Sequence, residues 1–308
     1  MNRRDTLRAL GALPLMAAAC VRRERATMSG SGISETTTTT SGGSEDGKRN
    51  ASTGKMPVVF AAHGAPVLLD DEGWMGELAA WALAMPRPTA VLMVSAHWEE
   101  RPATLGATRP VPLVYDFYGF PARYYQTQYP SPGAPALAAR VRDLLGKSGL
   151  GVTDDPERGL DHGAYVPLVA MYPKADVPVL QLSMPGLDAK ALFALGRALA
   201  PLRDEGVLIF GSGFLTHNMS YAFRPGTPQW ALEFDDWVEQ AITRFDIDAL
   251  VDFQTRAPAA RLALPTWEHY APLLVAAGAV TDTHPRTTFP ITGWWMDGAF
   301  TRRSVQFA

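Results

Sequence analysis

The chain has 308 residues, 47% of them apolar and 19% charged, with a formal net charge of −3. This is the composition of an ordinary globular protein, without the basic surface of a nucleic-acid binder or a strongly acidic tail. No apolar run beyond residue 56 approaches the ~18 residues a membrane-spanning helix needs. The single cysteine, Cys20, lies near the N-terminus, so the rest of the chain has no disulfide, cysteine zinc site or thiol nucleophile.

The chain opens with a basic Arg3-Arg4 pair, a short apolar stretch and small residues up to Ala19. Residues 1–20 therefore predict a secretory signal of twin-arginine type. Leu15-Met16-Ala17-Ala18-Ala19-Cys20 resembles a bacterial lipoprotein site, with Ala17 where such sites usually carry Leu. Cys20 is then a candidate for lipidation, and the expected location is the periplasm or its membrane surface. Residues 21–55 are rich in Ser, Thr and Gly, including the run Thr36 to Thr40. Such a segment buries too little apolar surface to offset its ordering entropy, and it reads as a flexible tether.

From Met56 onward, apolar runs alternate with helical patterns. Strands are expected at 58–62, 90–96, 177–184 and 206–211, and helices at 74–84, 135–145, 164–171, 189–202 and 231–245. That alternation predicts a single α/β domain over 56–308, with a mainly parallel central sheet flanked by helices.

Four of the six histidines fall where a strand ends or a helix begins. His63 follows Val58 to Ala62 within His63-Gly64-Ala65-Pro66, and His97 follows Val91 to Ala96 within Ser95-Ala96-His97-Trp98. His217 follows Gly211-Ser212-Gly213-Phe214-Leu215-Thr216, and Glu268-His269 precedes an apolar helical stretch with Pro272 in its first turn. Ligand sites of open α/β sheets lie beyond the carboxyl ends of the strands, and adjacent strands are only about 5 Å apart. Histidines delivered to that edge can share one metal ion. Each motif alone also has a plain structural reading. His63 suits a hydrogen-bonded turn, and His162 a first-turn position beside the candidate cap Asp161. The two glycines suit either a close approach to a bound molecule or a tight turn. His284, in Thr283-His284-Pro285, reads as a solvated loop residue. Three protein ligands with open positions suit a non-haem iron oxygenase or a zinc hydrolase equally. A catechol- or metal-binding protein without catalysis is a further reading.

Six motifs in this order resemble one family: His63-Gly64-Ala65-Pro66, Ser95-Ala96-His97-Trp98, Asp116-Phe117-Tyr118-Gly119-Phe120-Pro121, Leu160-Asp161-His162-Gly163, Thr216-His217-Asn218 and Glu268-His269-Tyr270. The chain resembles class III extradiol ring-cleavage dioxygenases of the LigB superfamily, in the DOPA-dioxygenase-like branch. The resemblance implies Fe(II), with Zn(II) as the alternative metal, and a small aromatic diol and O2 as substrates. It implies His63, His97 and His269 as metal ligands, with Glu268 as the alternative third. His217 is implied as the acid–base residue and His162 as a substrate-side histidine. Trp98, Tyr118 and Phe214 are candidates for substrate contact, within an aromatic wall that also includes Tyr115, Phe117 and Phe120. Ala65 stands where relatives often have Ser, and Phe214 where they often have Asn.

Overall fold

Apolar runs without alternation make strands buried on both faces, and the sheet is built from such runs. The computed structural model describes residues 55–308; the signal-like segment, Cys20 and the linker through residue 54 lie outside them. The strands are β1 (Val58–Ala62), β2 (Ala90–Ser95), β3 (Ala103–Leu105), β4 (Val152–Asp154), β5 (Val179–Gln181), β6 (Val207–Gly213), β7 (Thr287–Ile291), β8 (Trp294–Trp295), β9 (Phe300–Thr301) and β10 (Ser304–Phe307). The helices of four residues or more are α1 (Glu72–Ala84), α2 (Pro135–Lys147), α3 (His162–Met171), α4 (Ala189–Leu199), α5 (Gln229–Thr243), α6 (Ile247–Val251), α7 (Phe253–Arg256), α8 (Ala260–Ala263) and α9 (Ala271–Gly278), apart from short 3-10 turns.

The main sheet has six strands in the order β5-β2-β6-β1-β10-β7. β5, β2, β6 and β1 pair in parallel, whereas β10 runs antiparallel to both β1 and β7. Alternate residues of each parallel strand feed two apolar layers. Val58, Phe60, Leu92 and Ile209 pack with α2, α4, α5 and α9 on one face. Val59, Ala61, Met93 and Phe210 pack with α1 and α3 on the other. The expected single α/β domain with helices on both faces is therefore what the described residues form.

Local chemistry sets the helix starts. The Asp71 side chain accepts from Trp74 N at 2.9 Å, Asp161 from Ala164 N at 3.1 Å and Asp188 from Ala191 N at 2.8 Å. Expected element ends move by up to three residues, as three cases show. The 189–202 helix stops at Leu199, because Pro201 lies in the 3-10 turn that follows. The 177–184 strand shortens to Val179–Gln181, and beyond it Leu182 and Met184 make only isolated bridges, to Leu105 and Glu99. β6 runs two residues beyond Gly211. The antiparallel β7 and β10 were not expected, since Thr287–Ile291 contains Pro290 and has the look of a loop.

Candidate active site

β1 and β2 do not touch; β6 lies between them. In the parallel register Ser95 stands opposite Ser212 and Ala62 opposite Gly213. His63 and His97 thus reach the same point from either side of β6, and their ring centroids lie 5.0 Å apart. The first turn of α3 brings His162 over them, with ring centroids 4.0 Å from His97 and 5.4 Å from His63. Gly163 permits that approach: a Cβ there would sit 2.9 Å from His97 Cδ2 and 3.3 Å from His63 Cε1.

The partners of these rings bear on their tautomers. The Ser212 hydroxyl donates to the Gly163 carbonyl, so its oxygen accepts from His63 Nδ1 at 3.0 Å. Asp116 Oδ1 accepts from His162 Nδ1 at 2.7 Å, and its Oδ2 stands 3.3 Å from His97 Nδ1. A carboxylate can only accept, so the His162 hydrogen belongs on Nδ1, and a hydrogen on His97 Nδ1 would likewise meet Asp116 Oδ2. The Nε2 atoms of His63 and His97 lie 3.1 Å apart, a distance at which they share either a hydrogen carried by His97 or, when both are bare, an ion.

The other half of the cluster comes from β6 and the segment before α9. Phe214 N donates to His269 O at 2.9 Å, and His217 N to Ala263 O at 2.8 Å. A Cβ on Gly213 would lie 2.0 Å from His269 O. The glycines thus admit the protein's own backbone, neither a bound molecule nor a tight turn of their own. The His217 and His269 rings stack at 3.6 Å with 8° between their planes. His269 Nδ1 lies 3.2 Å from Glu268 Oε1. His269 reaches the first group as well, 4.9 Å from His97 and 5.3 Å from His63 between ring centroids.

Burial dominates the electrostatics. It lowers His63 and His269 well below the ordinary imidazole range, with neighbouring histidines adding to the effect. Burial also takes His97 to about 3, with His162 lowering it further against Asp116 and Glu268. It takes His217 to about 4, against the opposing charge of Glu268. Burial would raise the Asp116 carboxyl, but the His162 hydrogen bond and the His162 and His97 charges outweigh it and hold it low. At neutral pH His63, His97, His217 and His269 are therefore neutral imidazoles, with the Asp116 carboxylate beside His97. With both hydrogens on Nδ1, the Nε2 lone pairs of His63 and His97 would repel unless something positive lay between them. Two nitrogens bound to one ion at about 2.0–2.1 Å each, near a right angle, also stand about 3 Å apart. The donor set fits a divalent metal. Donor atoms of His63, His97 and His162 lie within 4.8 Å of one another, and so do those of His217, Glu268 and His269.

The aromatic candidates separate. Phe214 is buried and lies edge-on to His63 at 5.3 Å, with Trp295 and Phe300 behind it. Phe117 meets His162 edge-on at 5.8 Å and carries Phe120 and Tyr125 on its other sides. Trp98 is buried beneath the Arg158 guanidinium, whereas Tyr118 is 74% exposed. His284 lies exposed in a bend, away from the cluster's contacts. The sequence reading gave no role to Asp116 or Ser212, although Asp116 stood inside a quoted motif.

Comparison with known proteins agrees with this geometry. The family model described as the catalytic LigB subunit of aromatic ring-opening dioxygenase matches residues 57–299. The chain is 45% identical over 231 residues to 4,5-DOPA dioxygenase extradiol of Beta vulgaris, covering 72% of this chain and 86% of that protein. It is 38% identical over 261 residues to the protein of that name from Escherichia coli (strain K12), covering 82% and 94%. The crystal structure of an uncharacterized protein from Escherichia coli K12 superposes with a TM-score of 0.70 at 34% identity, covering 82% of this chain and all of that one. Neither a zinc hydrolase nor a non-catalytic binding protein is favoured by these relatives. The chain belongs to the LigB family, as a class III extradiol ring-opening dioxygenase of the DOPA-dioxygenase-like branch.

Proposed function

We propose that this enzyme opens the ring of a small aromatic diol of the DOPA type, using O2 and an Fe(II) ion held by His63, His97 and His269. The observation that carries the reading is the pair of Nε2 atoms, of His63 and His97, 3.1 Å apart at the carboxyl edge of the sheet. The names of the Beta vulgaris and Escherichia coli relatives support the substrate class. Zn(II) suits the same nitrogens, but ring opening by O2 calls for a metal that can change oxidation state. His269 as third ligand follows the family pattern, with Glu268 as the alternative carboxylate. A second assignment has its own observation: the donor atom of His162 is grouped with those of His63 and His97. Metal retention separates them, since His269→Ala should lose the ion and His162→Ala should keep it.

A bound divalent ion supplies a Lewis-acidic, redox-capable position where diol oxygens and O2 can meet. The protein's own groups do the rest. His217 is neutral at pH 7 and can accept a proton from a diol hydroxyl, then return it as the ring opens. Burial makes it a weaker base than the near-neutral group that serves both directions best, and an arriving phenolate would raise it. His162, with Nδ1 committed to Asp116, offers Nε2 on the substrate side. Phe214 and Phe117 close apolar walls on the two sides of the histidines. Trp98 and Tyr118 remain candidates for substrate contact, Tyr118 from an exposed position.

The test is oxygen uptake and visible absorbance after anaerobic loading with Fe(II), followed by air and a catechol panel including DOPA. One O2 consumed per diol, with a yellow semialdehyde product, supports the reading. No uptake by folded, iron-loaded protein would remove it. Location is a separate proposal: Arg3-Arg4 and Cys20 support export and lipid anchoring. Cell fractionation of the wild type and of Cys20→Ala tests this, and a cytoplasmic wild-type protein would end it.

A further inference from the structure

One carboxylate serves two histidines with different duties. Asp116 lies in the 111–121 loop, which is fastened to the start of α3 by Val114 N donating to Leu160 O at 2.9 Å. There its Oδ1 accepts from both the backbone N–H of His162, at 3.1 Å, and the ring Nδ1 of His162, at 2.7 Å. Its Oδ2 faces His97 Nδ1 at 3.3 Å. The first backbone N–H groups of a helix favour a negative partner, which helps this half-buried carboxylate stay charged.

The consequence concerns the proton on each ring. If the hydrogen of His97 moved to Nε2, its Nδ1 lone pair would face a carboxylate oxygen. If that of His162 moved, the 2.7 Å hydrogen bond would be lost. Asp116 thus favours Nδ1–H and a bare Nε2 on both rings, against the hydrogen that His97 Nε2 could otherwise share with His63 Nε2 at 3.1 Å. We propose that Asp116 is a shared positioning residue, whose two oxygens set the tautomers of His97 and His162 together and aim both Nε2 atoms at the centre. This rests on the metal-centre reading above and extends it. The loop carrying Asp116 thereby couples a metal ligand to the substrate-side histidine, so neither ring turns without the other.

Asp116→Asn tests the idea because it keeps the size of the side chain and the acceptor for the His162 backbone N–H. Its amide has one acceptor oxygen, and its NH2 group must face one of the two Nδ1 atoms. That ring is then forced into the opposite tautomer. The first readout is the nitrogen-15 NMR spectrum of the histidines in the Zn(II)-loaded protein, which distinguishes Nδ1–H from Nε2–H directly. The wild type should show Nδ1–H for both His97 and His162, and the variant should show one of them inverted. The second readout is Fe(II) and Zn(II) affinity by chelator competition, where a loss of roughly ten- to a hundredfold is expected. An unchanged thermal midpoint beside that loss would set positioning apart from a structural role. Nε2–H on either ring of the wild type overturns the proposal, and this holds even if the variant fails to fold. Wild-type affinity together with unchanged tautomers in Asp116→Asn also overturns it. His63→Ala in the same titration isolates the underlying reading: if it binds metal as tightly as the wild type, the metal centre is wrong, while the spectra still decide the role of Asp116.

Discussion

On the β1–β2 side of the site, His63, His97 and His162 each point Nδ1 at a side-chain oxygen, from Ser212 or Asp116. On the β6–α9 side, the His217 and His269 rings lie flat against each other, and their positions come from backbone bonds of Phe214 and His217. The proposed ligands His63, His97 and His269 each have Nδ1 beside a side-chain oxygen, of Ser212, Asp116 and Glu268, whereas His217 is placed by its backbone bond to Ala263 O. The difference matches the proposed duties: ligands need a fixed lone pair, whereas a group that takes and returns a proton needs a hold that does not consume its nitrogens.

The largest effect should come from breaking the ligand set. His63→Ala removes one of the opposed nitrogens, and metal analysis after reconstitution should find the ion lost and turnover with it. Full metal retention would take His63 out of the ligand set. Next comes proton transfer: His217→Ala should lower kcat by about 10²–10⁴-fold with metal content unchanged. Turnover at the wild-type rate would give the proton work to another group.

A smaller loss should follow from Gly213→Ala. Its Cβ would lie 2.0 Å from His269 O, so the His269 segment must move. Overpacking of this kind costs about 1–3 kcal/mol, readable as a shift in the denaturant midpoint. Weaker metal binding should accompany it, and an unperturbed midpoint and affinity would show that the backbone contact is dispensable.

The gentlest prediction concerns pH. His63, His97, His217 and His269 are all held below 6.5 in the folded state, so the unfolded chain binds more protons just below that pH. Stability of the metal-free protein should fall as pH drops below 6.5, by up to about 1.4 kcal/mol per pH unit for each histidine. Urea unfolding at about pH 5 and about pH 7.5 checks the sign. Equal stability at the two would mean that the rings are not buried as neutral imidazoles.

The parallel strands were legible because an unbroken run such as Val58 to Ala62 can be satisfied only by burial on both faces. Their carboxyl ends then pointed to His63 and His97, but not to the strand order, since pairing across β6 depends on contacts about 150 residues apart along the chain. β7 and β10 were hidden by Pro290 and by their mixed polar residues. Asp116 was hidden for a related reason: its partner His162 is 46 residues away, and nothing in a short motif distinguishes a carboxylate that orients a ring from one facing water. The glycines of β6 were visible as a signal and misread, because a sequence does not say whose backbone comes close.

The most direct test is a crystal structure grown anaerobically with Fe(II), using anomalous scattering at the iron edge to place the ion. The account predicts iron bonded to Nε2 of both His63 and His97 at about 2.0–2.2 Å, with His63 Nδ1 still on Ser212 and His97 Nδ1 still on Asp116. Iron bound through Nδ1, or bound away from this pair, would contradict it.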